Sequence, residues 1–229
     1  MKKFSIVLPL LAAALFVLGG GMRAYGDPVT VFNDQATSGQ GWTGNLASLF
    51  IVNQTTTVDA LGIFNPTGSG TVTGPNNIEV GLYDVTSGQQ IGSTVVFNTG
   101  TSYTLGGTFG LDIFQSFSAT LAPGLYGVDA VGFNPAYPNG NTGGWGPGPV
   151  FDGGGYLTFA GYSYYDSNSA YLDFPNSSNG TYDTHIYDAA TLAIVTPEPG
   201  TLLLLGTGLF CLAFLASRKA KSSGLVLHS

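Results

Sequence analysis

The feature that most limits how this chain can fold is a run of residues alternating at a period of two, the spacing of a half-buried strand rather than a helix. Ile78, Val80 and Leu82 fall on one face, with Glu79, Gly81 and Tyr83 on the other. Ser87-Gly88 then reads as a hairpin turn before a second strand around Ile91–Phe97. Phe109, Leu111, Ile113, Phe117, Ala119 and Leu121 share one face, interrupted at Gln115, and Ala122-Pro123-Gly124 turns the chain into Leu125–Phe133. Leu49–Val52 and Val58–Phe64 make a further expected pair, with late strands expected at Tyr156–Tyr162 and His185–Val195. Outside the two ends no long stretch has helical period. Short strands joined by Gly, Asn, Pro and Ser turns predict an all-β fold, an antiparallel β-sandwich that is jelly-roll-like.

Charge narrows the function classes. Between Asp27 and Thr196 there is no Lys or Arg, while 12 of the 13 acidic residues lie in that span, Glu198 being the exception. Such a surface cannot neutralise phosphates, so nucleic acid is excluded as a partner. The single cysteine, Cys211, lies in an apolar segment near the C-terminus, so the central region has neither disulfide nor thiol chemistry.

The ends carry the clearest messages. Residues 1–26 read as a secretory signal peptide: Lys2 and Lys3, an apolar run from Phe4 to Leu18, then small residues at Ala24 and Gly26. The secretion machinery and signal peptidase are the expected partners, with a cut between Gly26 and Asp27. Residues 27–195 are the expected sandwich ectodomain, and 196–229 a tail. In the tail, Pro197-Glu198-Pro199 leads into an apolar stretch at 201–217, followed by Arg218, Lys219 and Lys221. A helix from Gly200 to Ser217 would rise about 27 Å at ~1.5 Å per residue, just short of the roughly 30 Å hydrocarbon core, so it can span with little tilt. The basic cluster should stay cytoplasmic and place the ectodomain outside.

This tripartite tail resembles the PEP-CTERM sorting signal: a Pro-Glu-Pro motif, an apolar span and a short basic end. It departs from the pattern in carrying Ser222–Ser229 beyond the basic cluster. The resemblance implies an exosortase as processing partner, recognition of Pro197, Glu198 and Pro199, and removal of the helix. It also implies a Gram-negative host that makes extracellular polysaccharide. Separately, Val80–Gly88 and Leu121–Tyr126 resemble a sandwich module found repeatedly in exported bacterial proteins, in which an aromatic enters the core. That likeness supports a fold and carries no activity.

Between Asn134 and Pro175 the chain is rich in Gly, Pro and Tyr and reads largely as loop. Trp145, Tyr164 and Tyr165 are the candidate sugar-stacking residues there. Against them stands the ordinary use of aromatics as core filling or loop staples. The Asp166-Ser167-Asn168 and Asp183–Asp188 stretches offer hard oxygens. They lack a recognised calcium-loop pattern and read as turns, so no metal and no cofactor is expected. His185 is the one histidine of the ectodomain, without a Gly-x-Ser-x-Gly elbow, and reads as a strand-surface or capping residue. The sequence thus predicts a non-enzymatic protein, exported, transiently anchored in the inner membrane, then placed at the cell surface or in the extracellular matrix. A carbohydrate-binding module is the alternative and an exported hydrolase the third reading.

Overall fold

The computed structural model describes residues 29–31, 39–107, 110–141, 153–167, 171–173, 181–184, 187–195 and 206–213. The chain divides into two compact units, one formed by Asp27–Thr196 and the other by Met1–Gly26 with Pro197–Ser229.

The first unit is built from strands β1 (Val29–Val31), β2 (Asn45–Val52), β3 (Thr56–Phe64), β4 (Ile78–Asp84), β5 (Gln89–Phe97), β6 (Thr104–Gly106), β7 (Asp112–Leu121), β8 (Gly124–Val131), β9 (Leu157–Asp166), β10 (Thr181–Asp183) and β11 (Ala190–Val195). They form two sheets, ordered β1-β11-β3-β7-β6 and β10-β9-β2-β8-β4-β5. Every pairing is antiparallel. Four nested pairs, β1 with β11, β2 with β8, β3 with β7 and β4 with β5, trace one long folded hairpin. Pairing of β11 with β3 and of β8 with β4 closes it into the path of a jelly roll. Strand β6 extends one sheet at β7, and β9 with β10 extends the other beyond β2.

Leu61, Ile63, Ile113 and Leu192 from one sheet meet Phe50, Ile78, Val80 and Val128 from the other in a single buried cluster. Complete burial of each such side chain stabilises by about 1.5–3 kcal/mol. Phe50 and Tyr126 are opposite in register on β2 and β8 and stack with ring centroids 6.0 Å apart. Gln115, the interruption in the apolar face of β7, donates from Nε2 to the Val96 carbonyl on β5 at 2.6 Å. It thereby binds one sheet to the other.

The β4–β5 hairpin forms as the alternation predicts. Asp84 Oδ1 accepts from the backbone N–H groups of Thr86 and Ser87, and Gly88 takes a φ of 72°. The expected pairing of Leu49–Val52 with Val58–Phe64 does not occur: β2 and β3 lie in different sheets. Asn53 turns the corner, its amide bonded to the Gly155 carbonyl and to Thr158 Oγ1. Both strands then present apolar residues to the same interior. The Ala122-Pro123-Gly124 turn is likewise a corner between sheets, with Tyr126 donating its hydroxyl to the Ala122 carbonyl at 3.0 Å.

Antiparallel sheets commonly leave one face in water, but the middle of the six-stranded sheet is buried on both. Ala47, Leu49, Tyr83 and Tyr164 point away from the sandwich interior and are buried nonetheless. Residues 171–173 cross this outer face as a strap. Asn45 Nδ2 donates to the Tyr171 carbonyl and to Asp173 Oδ1, and Leu172 lies over Gly81.

In the second unit the described residues form a helix, α1, over 206–213, with Leu209, Phe210 and Leu212 exposed. Among the described residues no helix is long and apolar enough to cross a membrane. The rest of the span expected at 201–217 lies outside the described residues, as do Ala24, Gly26, Asp27, Pro197, Glu198, Pro199, Arg218, Lys219 and Lys221.

Candidate functional site

Period two decides the fate of the expected sugar-stacking residues. Tyr164 and Tyr165 are adjacent on β9 and therefore face opposite ways. Tyr164 stands opposite Ala47 in register and packs with Ala47 and Leu49, with no exposed surface. It cannot offer a ring face to a ligand, which corrects the expectation for that residue. Tyr165 turns the other way, opposite Leu46, and is half-buried. Trp145, the third residue of the expected surface, lies outside the described residues.

Tyr165 instead forms one wall of a hollow of about 100 Å³ lined by Gln40, Trp42, Leu46, Tyr165 and Tyr187. Trp42 meets Tyr165 edge to face at 5.5 Å and 85°, and Tyr165 meets Tyr187 at 6.2 Å and 87°. Edge-to-face contacts at these separations are favourable arrangements for aromatic quadrupoles. They build a box of crossed rings rather than one flat platform.

Polar contacts hold the walls. Ser48 Oγ donates to the Tyr187 carbonyl at 3.0 Å and accepts from the Tyr187 N–H at 3.2 Å. Gln40 exchanges backbone bonds with Asn139, and its Oε1 accepts from Asn141 Nδ2 at 3.0 Å. Asn141 Oδ1 in turn accepts the Asp188 N–H at 2.7 Å. Asp188, read from sequence as a turn former, thus belongs to the frame behind the hollow. Trp42 Nε1 is buried without a hydrogen-bond partner, a donor left over in the wall.

None of the lining side chains is charged, so the hollow suits a neutral, amphipathic group. Whole small-molecule sites commonly measure about 300–1,000 Å³, so this one fits a single ring or part of one. Among the described residues no three His, Cys, Asp or Glu side chains gather closely enough to hold a metal ion. Sequence reasoning passed over Trp42 and Tyr187. The available signal was modest: Trp42 is one of two tryptophans and sits in Gly41-Trp42-Thr43-Gly44, a turn-rich setting like that of Trp145.

Beyond the sandwich, residues 195–219 match the model of the PEP-CTERM protein-sorting motif. The chain carries a PEP-CTERM sorting signal. This motif implies export, targeting to the cell surface and an exosortase as processing partner. It covers the Pro197-Glu198-Pro199 segment, the apolar stretch and the first two residues of the basic cluster. No curated protein and no solved structure gives a match to the chain.

Proposed function

We propose that this chain is a surface or extracellular-matrix protein of a polysaccharide-producing bacterium, with a jelly-roll ectodomain serving a structural or interaction role rather than catalysis. The observation that carries this reading is the PEP-CTERM motif at residues 195–219, which begins at Val195, the last residue of β11. In this account the signal peptide is cut after Gly26, and the 201–217 stretch halts transfer as a transient inner-membrane span. Arg218, Lys219 and Lys221 keep its far end in the cytoplasm. Flanking prolines disfavour helix at Glu198, which would leave the motif accessible to the exosortase just outside the inner membrane. Glu198→Ala should leave full-length protein in the inner membrane; release equal to wild type would contradict this role of the motif.

A second reading, polysaccharide binding by the ectodomain, is favoured by the crossed rings of Trp42, Tyr165 and Tyr187. Their uncharged walls suit the apolar edge of a sugar ring. Trp42→Ala should weaken retention on the host's polysaccharide while the melting temperature moves by only a few degrees. Retention unchanged in that variant would remove this reading and leave the sorting assignment intact.

A further inference from the structure

Asp129 is a fully buried carboxyl in the middle of a sheet, and the domain around it contains no Lys or Arg. It lies on β8 between Ala47 of β2 and Gly81 of β4, and points to the outer face of the six-stranded sheet. Its exposure is 0%, and neither Oδ1 nor Oδ2 has a hydrogen-bond partner. A buried charge without a partner is strongly unfavourable, so such a carboxyl must either keep its proton or meet a cation. From Asp27 to Thr196 the sequence offers no lysine and no arginine, and its one histidine, His185, lies outside the described residues. Among the described residues of this unit no side chain can supply the cation.

The neighbours of Asp129 point the same way. Asn45, on the adjacent strand and the same face, is a diagonal neighbour in the register, at the roughly 7–8 Å typical of such pairs. It too has 0% exposure, and its Oδ1 is buried without a partner, while its Nδ2 holds Asp173 of the strap. Asp166 stands opposite Asn45 across β9. Asn45, a neutral amide, is therefore surrounded by carboxylates from β8, β9 and the strap. Two buried side chains, one acidic and one not, each keep unsatisfied acceptor oxygens in the same region.

We propose that Asp129, Asp173 and Asn45 Oδ1 form a site for a hard divalent cation of the calcium class, beneath the strap at 171–173. Carboxylate and carboxamide oxygens are ligands suited to calcium, which accepts six to eight oxygens in flexible geometry and takes waters for the remainder. Asp166 contributes its charge without completing a three-carboxylate cluster, in keeping with the absence of such a cluster among the described residues. Burial, then the facing Asp173, push the Asp129 carboxyl well above the usual carboxylate range; Asp166 adds to this. The nearby amides of Ala130 and Leu46 pull the other way without completing a hydrogen bond. A bound cation would reverse that balance and keep Asp129 ionised. It would also join the strap to β2 and β8, stabilising the cover over the outer face. This site is independent of the sorting motif and of the aromatic hollow.

The test uses the full chain in detergent, titrated with terbium and, separately, melted in calcium or in a chelator. Terbium emission excited through tyrosine should appear, since Tyr83 lies in the electrostatic reach of Asp129 and Asp173. Calcium should displace the terbium. With an affinity of about 0.1–1 mM, usual for extracellular calcium modules, 10 mM calcium should raise the melting temperature by about 3–10 °C over chelator. Asp129→Asn should abolish both the emission and the shift, and Asp173→Asn should weaken both, with Asp59→Asn on the other sheet as the control that leaves them unchanged. Identical melting of wild type in calcium and chelator, with stability falling as pH rises above the carboxylate range, would overturn the proposal and assign Asp129 a proton. Emission that survives Asp129→Asn and Asp173→Asn unchanged would overturn it equally, placing the ion elsewhere.

Discussion

Leu172 and Gly81 fit together so closely that a β-carbon added to the glycine would stand 2.7 Å from Leu172 Cδ2. The same atom would stand 2.8 Å from Tyr83 Cε2. Gly81 is in mid-strand, where glycine costs conformational entropy and adds no packing of its own. What it contributes here is room for the strap. Gly81→Ala should therefore destabilise the ectodomain by about 1–3 kcal/mol, the usual cost of overpacking. Denaturant melting checks the magnitude. Hydrogen exchange checks the cause, since protection should fall at Leu172 and Asp173 more than in the five-stranded sheet.

Ser48 satisfies both backbone groups of Tyr187 through one hydroxyl in a buried setting. Ser48→Ala leaves that N–H and that carbonyl without this partner, at a cost of about 1–3 kcal/mol. Because Tyr187 lines the aromatic hollow, the change should also disturb Trp42, and its fluorescence provides the second readout.

Tyr164 and Tyr165 should respond to truncation as different kinds of residue. Tyr164→Ala removes a ring with no exposed surface and should cost about 3–5 kcal/mol. Tyr165→Ala opens one wall of the hollow and should cost less, with the loss appearing in ligand retention. Equal destabilisation by both variants would contradict the assignment of Tyr165 to a site.

Much of the sandwich is legible in the sequence, and the exceptions have physical causes. The alternation in β4, β7 and β8 and the Ser87-Gly88 turn identify strands because side-chain period and turn chemistry are local properties. Which sheet β2 and β3 join is not local, since it depends on Asn53 finding Gly155 and Thr158 about a hundred positions away. The strap lies within 134–175, which reads largely as loop; that it buries the outer sheet face depends on Asn45 and Gly81. For the same reason Asp129, between Val128 and Ala130, reads as an ordinary solvent-facing strand residue. The hollow is assembled from Gln40, Trp42, Leu46, Tyr165 and Tyr187, so no single window contains it. The sorting tail was legible because its three parts are contiguous.

Alkaline conditions should weaken the fold through two phenols. Burial raises the Tyr83 hydroxyl above its ordinary value, with Asp129, Asp173 and Glu79 adding to it in cation-free protein, and burial with a smaller effect of Tyr103 raises Tyr137. Above about pH 10 the unfolded chain releases these protons while the native chain keeps them. The native state then binds more protons than the unfolded one, so stability falls as pH rises. Spectroscopic titration at the tyrosinate band should show at least two phenols that ionise only on unfolding, and Tyr83→Phe should reduce the alkaline slope of stability.

The central claim is that the tail is a sorting signal that is processed. Mass spectrometry of surface and medium fractions from the host tests it most directly. The account predicts peptides beginning at Asp27 and extending to the neighbourhood of Pro199, with none from Leu202 to Ser229. Extracellular protein that retains an intact 201–217 segment would contradict it and leave that segment a plain membrane anchor.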